Sequence, residues 1–382
     1  MVNKEPPFRF YDSRQKYLLF INTCNEKWET AKRIEQELEY IDPTPPAIRL
    51  FDAGMGDGTV LSRVMRSMHR RFSNIPFYIV GKEISLEDVR LSLDKLPDRL
   101  YEHPATCFIA TNLYYFQAPW LSLKGKGDDQ DINWIFMELD GEHSDEFAEQ
   151  ITAAQKNIAN QWQARTNINT GNHAYEKPTV LVIYRKDQKF LLNDIIPKRE
   201  TIKADFDLVI ASQPYRARVP VSFKVKNVVA PLVKALAPKG RFIGVHSHGA
   251  DPGLEIIREI WPGENPFHTD RFSIEEELRT SFPEVADKCR LVDHNQTEAT
   301  FRYEMHTLPD EISNHPAKIG TSTLLAAWNA TSYVAQIDDE RLEKVIADRH
   351  YLDVTRDKLA EHGGLWFKNE SYTFIKRDGS GR

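Results

Sequence analysis

The segment Phe51-Asp-Ala-Gly54-Met-Gly56-Asp-Gly58 is the most informative part of the chain. It follows a short apolar run, Ile48 to Phe51, and precedes a helical pattern from Val60 to about Phe72. Three glycines at alternate positions permit backbone conformations and close approaches that side chains would block. Between a strand and a helix, such a turn lets a ligand lie against the main chain at the carboxyl edge of a sheet. A purely structural tight turn is the alternative interpretation.

The spacing of these glycines discriminates between ligands. In the dinucleotide fingerprint GxGxxG, counted from Gly54 and Gly56, the third glycine would fall on Thr59. The chain instead reads DxGxGxG, which disfavours NAD and FAD. The turn also lacks the Lys-Ser/Thr ending of a phosphate-cradling loop, so a nucleoside triphosphate is not expected.

Apolar strands and helices alternate on both sides of this turn. Strands connected through helices run parallel, because the crossovers are right-handed, so the pattern predicts a doubly wound, mostly parallel α/β sheet. The predicted strands are 48–51, 77–80, 105–110, 206–211 and 241–245, and the predicted helices are 60–72, 86–93 and 228–236.

Three further segments surround this core of residues 47–116 and 205–309. Residues 1–46 are predicted to form an N-terminal helical cap, in which Glu26 to Tyr40 is helical up to the proline-rich stretch at 42–46. Residues 117–204 exceed an ordinary crossover and are predicted to form an inserted α+β lobe. That lobe contains a strand at 134–137, a helix from 145 to about 165 and a hairpin pairing 180–184 with 190–195. Residues 310–382 are predicted to be a helical insertion followed by a final strand at 371–376.

In this order of elements the chain resembles the Rossmann-like, class I S-adenosylmethionine-dependent methyltransferases, whose core is a seven-stranded sheet. The resemblance covers residues 47–112 and 206–308. It rests on Asp52 to Gly58, on Val80-Gly-Lys-Glu83-Ile-Ser85, on the strand Phe206 to Ser212 and on Leu236-Ala-Pro-Lys-Gly240 with the strand that follows.

The resemblance implies S-adenosyl-L-methionine as the cofactor and assigns residues to it. The turn residues Asp52, Gly54, Gly56 and Gly58 would hold its methionine part. Glu83 would accept hydrogen bonds from the two ribose hydroxyls, as a carboxylate at a strand end can, and Asn112 would face adenine. Three structural alternatives stay open. Asp52 would only brace its turn, Glu83 would be a solvated carboxylate at a strand end, and Asn112 would be a turn residue.

The motif Ser212-Gln213-Pro-Tyr215 follows the strand that faces the transferable methyl group in this family. It partly matches the [N/D/S]PP[Y/F] signature of amino-group methyltransferases, which implies that Ser212 and Tyr215 are catalytic and that Gln213 binds substrate. An amine must present its lone pair in line with the S–CH₃ bond, and fixed acceptors orient it. The alternative is a proline-terminated strand with a packed tyrosine.

Two histidines beyond the next predicted strand complete the predicted acceptor side. His246 is the candidate base for the amine proton and His248 a candidate substrate contact, because imidazole titrates near neutral pH. Both are structural in the alternative interpretation. No third ligand accompanies the pair, so no metal site is predicted.

The N-terminal segment resembles a lid over the cofactor in similar enzymes. Tyr11, Arg14 and Tyr17 are the residues of this segment that are predicted to contact substrate.

Composition limits the functional classes. The 382 residues carry a net charge of −6, which does not favour a polyanionic partner. Three widely spaced cysteines fit a reducing cytoplasm, and no apolar run is long enough for a membrane span. Composition thus favours a cytoplasmic protein, with homo-oligomerisation left open, and the resemblance implies an enzyme that N-methylates a small amine, amino acid or related metabolite. An RNA, DNA or protein methyltransferase, a non-catalytic cofactor-binding module, and an O- or C-acceptor are the alternatives.

Overall fold

The computed structural model describes residues 14–123, 131–166, 173–198, 202–307, 312, 319–347 and 349–378. Tyr11, one of the predicted substrate contacts, lies outside these ranges. The helices of the first half are α1 (Arg14–Thr23), α2 (Glu26–Glu35), α3 (Thr59–Arg71), α4 (Leu86–Leu93), α5 (Leu96–Glu102) and α6 (Ser144–Gln161). The strands of the first half are β1 (Ile48–Asp52), β2 (Phe77–Lys82), β3 (Thr106–Thr111), β4 (Asn133–Leu139), β5 (Ala164–Thr166), β6 (His173–Tyr175) and β7 (Thr179–Arg185).

The second half contributes the remaining elements. Its strands are β8 (Phe206–Ser212), β9 (Leu236–Ser247), β10 (Cys289–Leu291), β11 (Thr300–Glu304) and β12 (Trp366–Lys376). Its helices are α7 (Val221–Lys224), which a π-helical turn (Val225–Val229) joins to α8 (Ala230–Lys234), then α9 (Pro252–Ile260), α10 (Arg271–Ser281), α11 (Pro283–Ala286), α12 (Gln296–Ala299), α13 (Thr321–Val334), α14 (Asp339–Ile346) and α15 (His350–His362).

The predicted mostly parallel α/β sheet is confirmed. Within the described ranges, ten strands lie in one sheet, nine of them in the order β10-β12-β9-β8-β1-β2-β3-β7-β4, and β11 also pairs with β12. The strands β3, β2, β1, β8 and β9 are parallel neighbours. The chain order reverses between β1 and β8, which creates the switch point where doubly wound sheets bind ligands. The sheet has three strands more than the expected seven.

The segment 117–204 extends this sheet. Strand β7 pairs antiparallel with β3, and β4 pairs parallel with β7. The predicted hairpin is therefore wrong: Phe190 to Ile195 forms turns, in which Leu192 and Ile195 are buried against the sheet. A buried apolar turn and a short strand give the same apolar run in the sequence, which explains the error.

Helices cover both faces of the sheet. One face packs on α2, α3, α4, α5 and α6, and the other packs on α7, α8, α10 and α11. A third apolar cluster joins α1 and α9 to α13 and α15, so the N-terminal and C-terminal helices pack together. This cluster places α1 beside the carboxyl ends of the strands. No helix of the described residues is long and apolar enough to cross a bilayer.

Candidate functional site

In the glycine-rich turn after β1, two glycines have a left-handed backbone conformation. The third has empty space where a side chain would lie. Gly56 has a φ of 52° and Gly58 a φ of 76°. A Cβ on Gly58 would lie 2.9 Å from the Cα of Ser92, so α4 excludes any side chain there. A Cβ on Gly54 would meet no atom within 4 Å. The backbone of Gly54 therefore faces open space at the carboxyl edge of the sheet.

Asp52, the last residue of β1, stabilises the turn that follows. Its Oδ1 accepts a hydrogen bond from the Gly54 N–H at 3.1 Å, in the Asx-type arrangement that the sequence left open. Burial, and to a smaller extent the nearby Glu83 charge, raise the pKa of Asp52 to about 7.

Glu83 joins the ends of β1 and β2. Its Oε2 accepts from the Gly56 N–H at 3.1 Å, and its Oε1 accepts from the N–H groups of Ile84 at 2.7 Å and Ser85 at 2.9 Å. The side chain is buried, and this burial raises the pKa of Glu83. The carboxylate is thus held beside the open backbone of the turn by three backbone donors.

Helices α1 and α2 lie over the turn. Lys27 donates to Tyr17 Oη at 2.8 Å and forms an ion pair with Asp57 at 2.5 Å, and a Cβ on Gly56 would lie 3.6 Å from Tyr17 Oη. Tyr17 is therefore a neighbour of the predicted cofactor turn.

Arg14, at the start of α1, is placed differently from Tyr17. It forms ion pairs with Asp88 at 2.8 Å and with Glu87 at 2.8 Å. It thus fastens α1 to the start of α4.

Asn112 uses both ends of its amide within the protein. Its Nδ2 donates to the carbonyl of Lys177 at 2.8 Å, and its Oδ1 accepts from the N–H of Thr179 at 2.8 Å. The side chain is buried and fixes the start of β7 to the end of β3. This arrangement favours the structural role over a contact with adenine.

The segment Ser212 to Tyr215 leaves β8 at the same edge of the sheet. Gln213 has a φ of 47°, which is unusual for a residue with a side chain, and its N–H donates to Val245 O at 2.8 Å. Its side-chain Nε2 lies 3.3 Å from Glu26 Oε1, 3.2 Å from Ser247 Oγ and 3.3 Å from Asn369 Oδ1. The carbonyl of Pro214 accepts from Tyr115 Oη at 2.9 Å.

Tyr215 and His246 belong to one buried hydrogen-bond chain. Tyr215 Oη lies 3.0 Å from His246 Nδ1 and 2.9 Å from Tyr372 Oη. His246 Nε2 lies 3.0 Å from Glu370 Oε2, and Arg271 Nη1 donates to Glu370 Oε1 at 2.7 Å. All five side chains are buried, and burial together with Tyr372 raises the pKa of Tyr215.

The ionisation of Glu370 determines which group donates in each hydrogen bond of this network. Burial opposes its charge, but the contacts with His246 and Arg271 prevail and lower the pKa of Glu370. An ionised Glu370 can only accept, so His246 Nε2 carries a proton and Nδ1 can accept from Tyr215. The hydroxyl of Tyr215 is then occupied inside the protein, which favours the structural interpretation of His246 and Tyr215.

His248 lies at the rim of this region, apart from His246. Its Nδ1 is 3.0 Å from the carbonyl of Gly249, and its Nε2 is 3.0 Å from Gln296 Nε2. Among the described residues, metal-ligand geometry occurs at Glu255, Glu361 and His362. Those residues lie on α9 and α15, and Lys358 already forms ion pairs with both glutamates.

Several polar residues at the carboxyl edge of the sheet were not predicted from the sequence to belong to the site. Glu26 and Lys27 open α2, and their only signal is a pair of opposite charges at a helix start. Asn369 and Glu370 come from β12, which pairs with β9 so that Glu370 lies opposite His246. Contacts between such distant parts of the chain leave no local pattern.

Comparisons with known proteins complete the description of the site. No protein-family model matches the sequence, and a search of curated proteins found no match. Among solved structures, the chain is similar to a geranyl diphosphate methyltransferase in complex with S-adenosylmethionine, with a TM-score of 0.35, 11% identity, and coverage of 97% of this chain and 92% of that one. It is also similar to the plantazolicin methyltransferase BpumL in complex with S-adenosylhomocysteine, with a TM-score of 0.35, 8% identity, and coverage of 97% and 92%. A third is phosphoethanolamine N-methyltransferase 2 of Haemonchus contortus, with a TM-score of 0.30, 9% identity, and coverage of 97% and 60%.

Because these identities and TM-scores are low, the Rossmann-like character of the chain rests on its own strand order, with the switch point between β1 and β8.

Proposed function

We propose that the protein is an S-adenosylmethionine-dependent methyltransferase that N-methylates a small amine, amino acid or related metabolite. The observation that carries the proposal is the open backbone at Gly54, which lies between the carboxylates of Asp52 and Glu83 at the carboxyl ends of β1 and β2. This edge adjoins the switch point of the sheet, where doubly wound folds bind ligands.

The residues present fit an adenosine cofactor with an amino-acid tail. Gly54 offers an approach to the main chain, and the Glu83 carboxylate lies at the same edge of the sheet, where the resemblance places the ribose hydroxyls. When bound, the cofactor would supply a methyl group already activated by a positively charged sulfur. The protein then contributes mainly by positioning the acceptor, which is worth up to about 7–11 kcal/mol in favourable cases.

Two basic side chains that a nucleic acid would need already have partners within the protein, which favours a small acceptor. The guanidinium of Arg63, on α3, lies 3.7 Å from the ring centre of Trp28. Arg218, beyond the Ser212–Tyr215 segment, forms an ion pair with Glu264 at 2.5 Å. Both arginines have partners within the protein.

The test is a calorimetric titration of the protein with S-adenosylhomocysteine, with NADH as the control ligand. We expect micromolar binding that Glu83→Ala weakens at least about tenfold, equivalent to about 1.4 kcal/mol. Glu87→Gln is the matched control, since Glu87 is exposed in the same segment and pairs with Arg14. Binding of NADH in place of S-adenosylhomocysteine would overturn the cofactor assignment.

A further inference from the structure

Glu26 places a carboxylate at the acceptor side of the candidate site. It opens α2, directly before Lys27, which contacts the glycine turn through Asp57. Its Oε1 accepts from Gln213 Nε2 at 3.3 Å and from Asn369 Nδ2 at 3.2 Å. The first turn of α2 therefore connects the predicted cofactor turn to the segment that follows β8.

The charge of Glu26 is not neutralised by any cation within ion-pair distance among the described residues. The neighbouring ammonium, that of Lys27, is 2.5 Å from Asp57 instead. Two amide groups donate to Oε1, whereas Oε2 has no donor in the described part of the chain. Burial raises the pKa of Glu26, and the Asn369 amide, Lys27 and the Gln213 amide only partly oppose this effect.

The surroundings of Glu26 hold its carboxylate in place. Gln213 is fixed by a backbone bond to Val245, and its amide also lies within hydrogen-bond distance of Ser247 and Asn369. Maintaining a positive φ at Gln213 costs energy, which the contacts around it must offset. This cost is a reason to look for a functional role. A fixed, partly accessible carboxylate without a counter-ion is complementary to a cationic ligand.

We propose that the Glu26 carboxylate receives the ammonium group of the methyl acceptor, so that the acceptor is an amine that arrives protonated. This inference rests on the proposed methyltransferase function and specifies its substrate class. It assigns to Glu26 the base role that the sequence analysis gave to His246, whose two ring nitrogens are already engaged with Tyr215 and Glu370.

The proton balance of this step is simple. An ammonium has no lone pair and cannot act as a nucleophile. Transfer of one N–H proton to Glu26 Oε2 leaves a neutral amine and a neutral carboxylic acid. The freed lone pair forms the N–C bond while the C–S bond breaks and its electrons stay on sulfur. The methylated product carries the positive charge as an ammonium, and Glu26 releases its proton to water.

The test compares two ligands that differ at the position of the transferred methyl group. Sinefungin resembles S-adenosylhomocysteine but carries a protonated amine at that position. We expect the wild-type protein to bind sinefungin at least about tenfold more tightly than S-adenosylhomocysteine, since charge-assisted hydrogen bonds are the strong ones. Glu26→Gln should abolish this preference and leave the affinity for S-adenosylhomocysteine within about twofold.

Glu29→Gln is the matched control, because Glu29 lies one turn further along α2 and pairs with Lys32 on the surface. Thermal melting establishes that each variant folds, and the wild-type ratio tests the inference without any variant. Equal affinity of the wild type for both ligands would overturn the inference while the methyltransferase proposal stands. An equal loss of both affinities in Glu26→Gln would overturn it by assigning Glu26 to the cofactor itself. Failure of the wild type to bind either ligand would contradict the proposed function, and the inference with it.

Discussion

The carboxylate of Glu83 accepts a hydrogen bond from the N–H of Gly56 across 3.1 Å, which ties the end of β2 to the turn after β1. The same carboxylate accepts from the first N–H groups that follow β2. A group that binds three backbone donors is held rigidly, and rigid groups bind a ligand with a smaller entropic cost. The geometry of the proposed cofactor site is therefore set before any ligand arrives.

The glycines of the turn should separate into a ligand-binding and a structural position. Gly54→Ala adds a methyl group to open space, so we expect an unchanged melting temperature and at least about a tenfold loss of affinity for S-adenosylhomocysteine.

Gly58→Ala should behave in the opposite way. A side chain there requires a φ of 76° and a collision with Ser92, so we expect a loss of about 1–3 kcal/mol in the free energy of unfolding. Urea unfolding of both alanine variants, followed by titration of the folded protein, provides the measurement. Equal stability of the two variants would contradict the distinction.

Asp52 should make the stability of the ligand-free protein depend on pH. Its pKa in the folded protein is about 7, above the usual value of 3.8, so the folded state binds the proton more tightly than the unfolded chain. The stability due to this residue is complete below about pH 4 and is lost as the pH rises through 7. Asp52→Asn keeps an oxygen for the Gly54 N–H and removes the titration.

We therefore expect the stability of Asp52→Asn, measured relative to the wild type, to increase between pH 4 and pH 8. Urea unfolding across this range measures it, and Asp98→Asn serves as a control on α5. A pH-independent difference between Asp52→Asn and the wild type would refute the raised pKa.

Tyr215 should contribute to stability through its hydroxyl. Tyr215→Phe removes the partner of both His246 Nδ1 and Tyr372 Oη in a buried region, which costs about 1–3 kcal/mol. The affinity for S-adenosylhomocysteine should stay within about twofold, because Glu83 and the turn are untouched. Tyr101→Phe, at a half-exposed position on α5, is the control. A stable variant with weakened ligand binding would speak for a direct contact instead.

Arg271 should be the residue of this network that is most costly to remove. Arg271→Met leaves the buried carboxylate of Glu370 without its guanidinium, a change that typically costs about 3–5 kcal/mol. The double variant Arg271→Met/Glu370→Gln should recover part of that loss, because no unpaired charge remains. Guanidinium unfolding of the wild type, Arg271→Met, Glu370→Gln and the double variant gives the coupling energy. A double variant less stable than Arg271→Met would contradict this account.

The elements around the glycine turn could be predicted because their signals are local. The strand at 48–51, the helix at 60–72 and the helix at 86–93 appear as β1, α3 and α4, with ends shifted by no more than about one residue. The place of Glu83 at the end of β2 is local in the same way, and its contact with the cofactor stays a prediction from the resemblance.

The rest of the site depends on pairings between distant parts of the chain. The pairing of β7 with β3 turned a predicted hairpin into an extension of the sheet. The pairing of β12 with β9 brought Asn369 and Glu370 to Gln213 and His246. Neither pairing leaves a periodic pattern that a sequence could reveal.

The position of β12 has a consequence for the order in which the protein assembles during synthesis. Strand β12 lies between β9 and β10, and it is the strand with which β10 and β11 pair. While the ribosome is still adding residues 366–376, the hydrogen-bond partners described above for Asp52 and Glu83 have already been made. Those of Gln213 and His246 have not all been made, because Asn369 and Glu370 have yet to emerge. The nascent chain thus carries the residues of the proposed cofactor site first, and it completes the proposed acceptor site only when β12 enters the sheet.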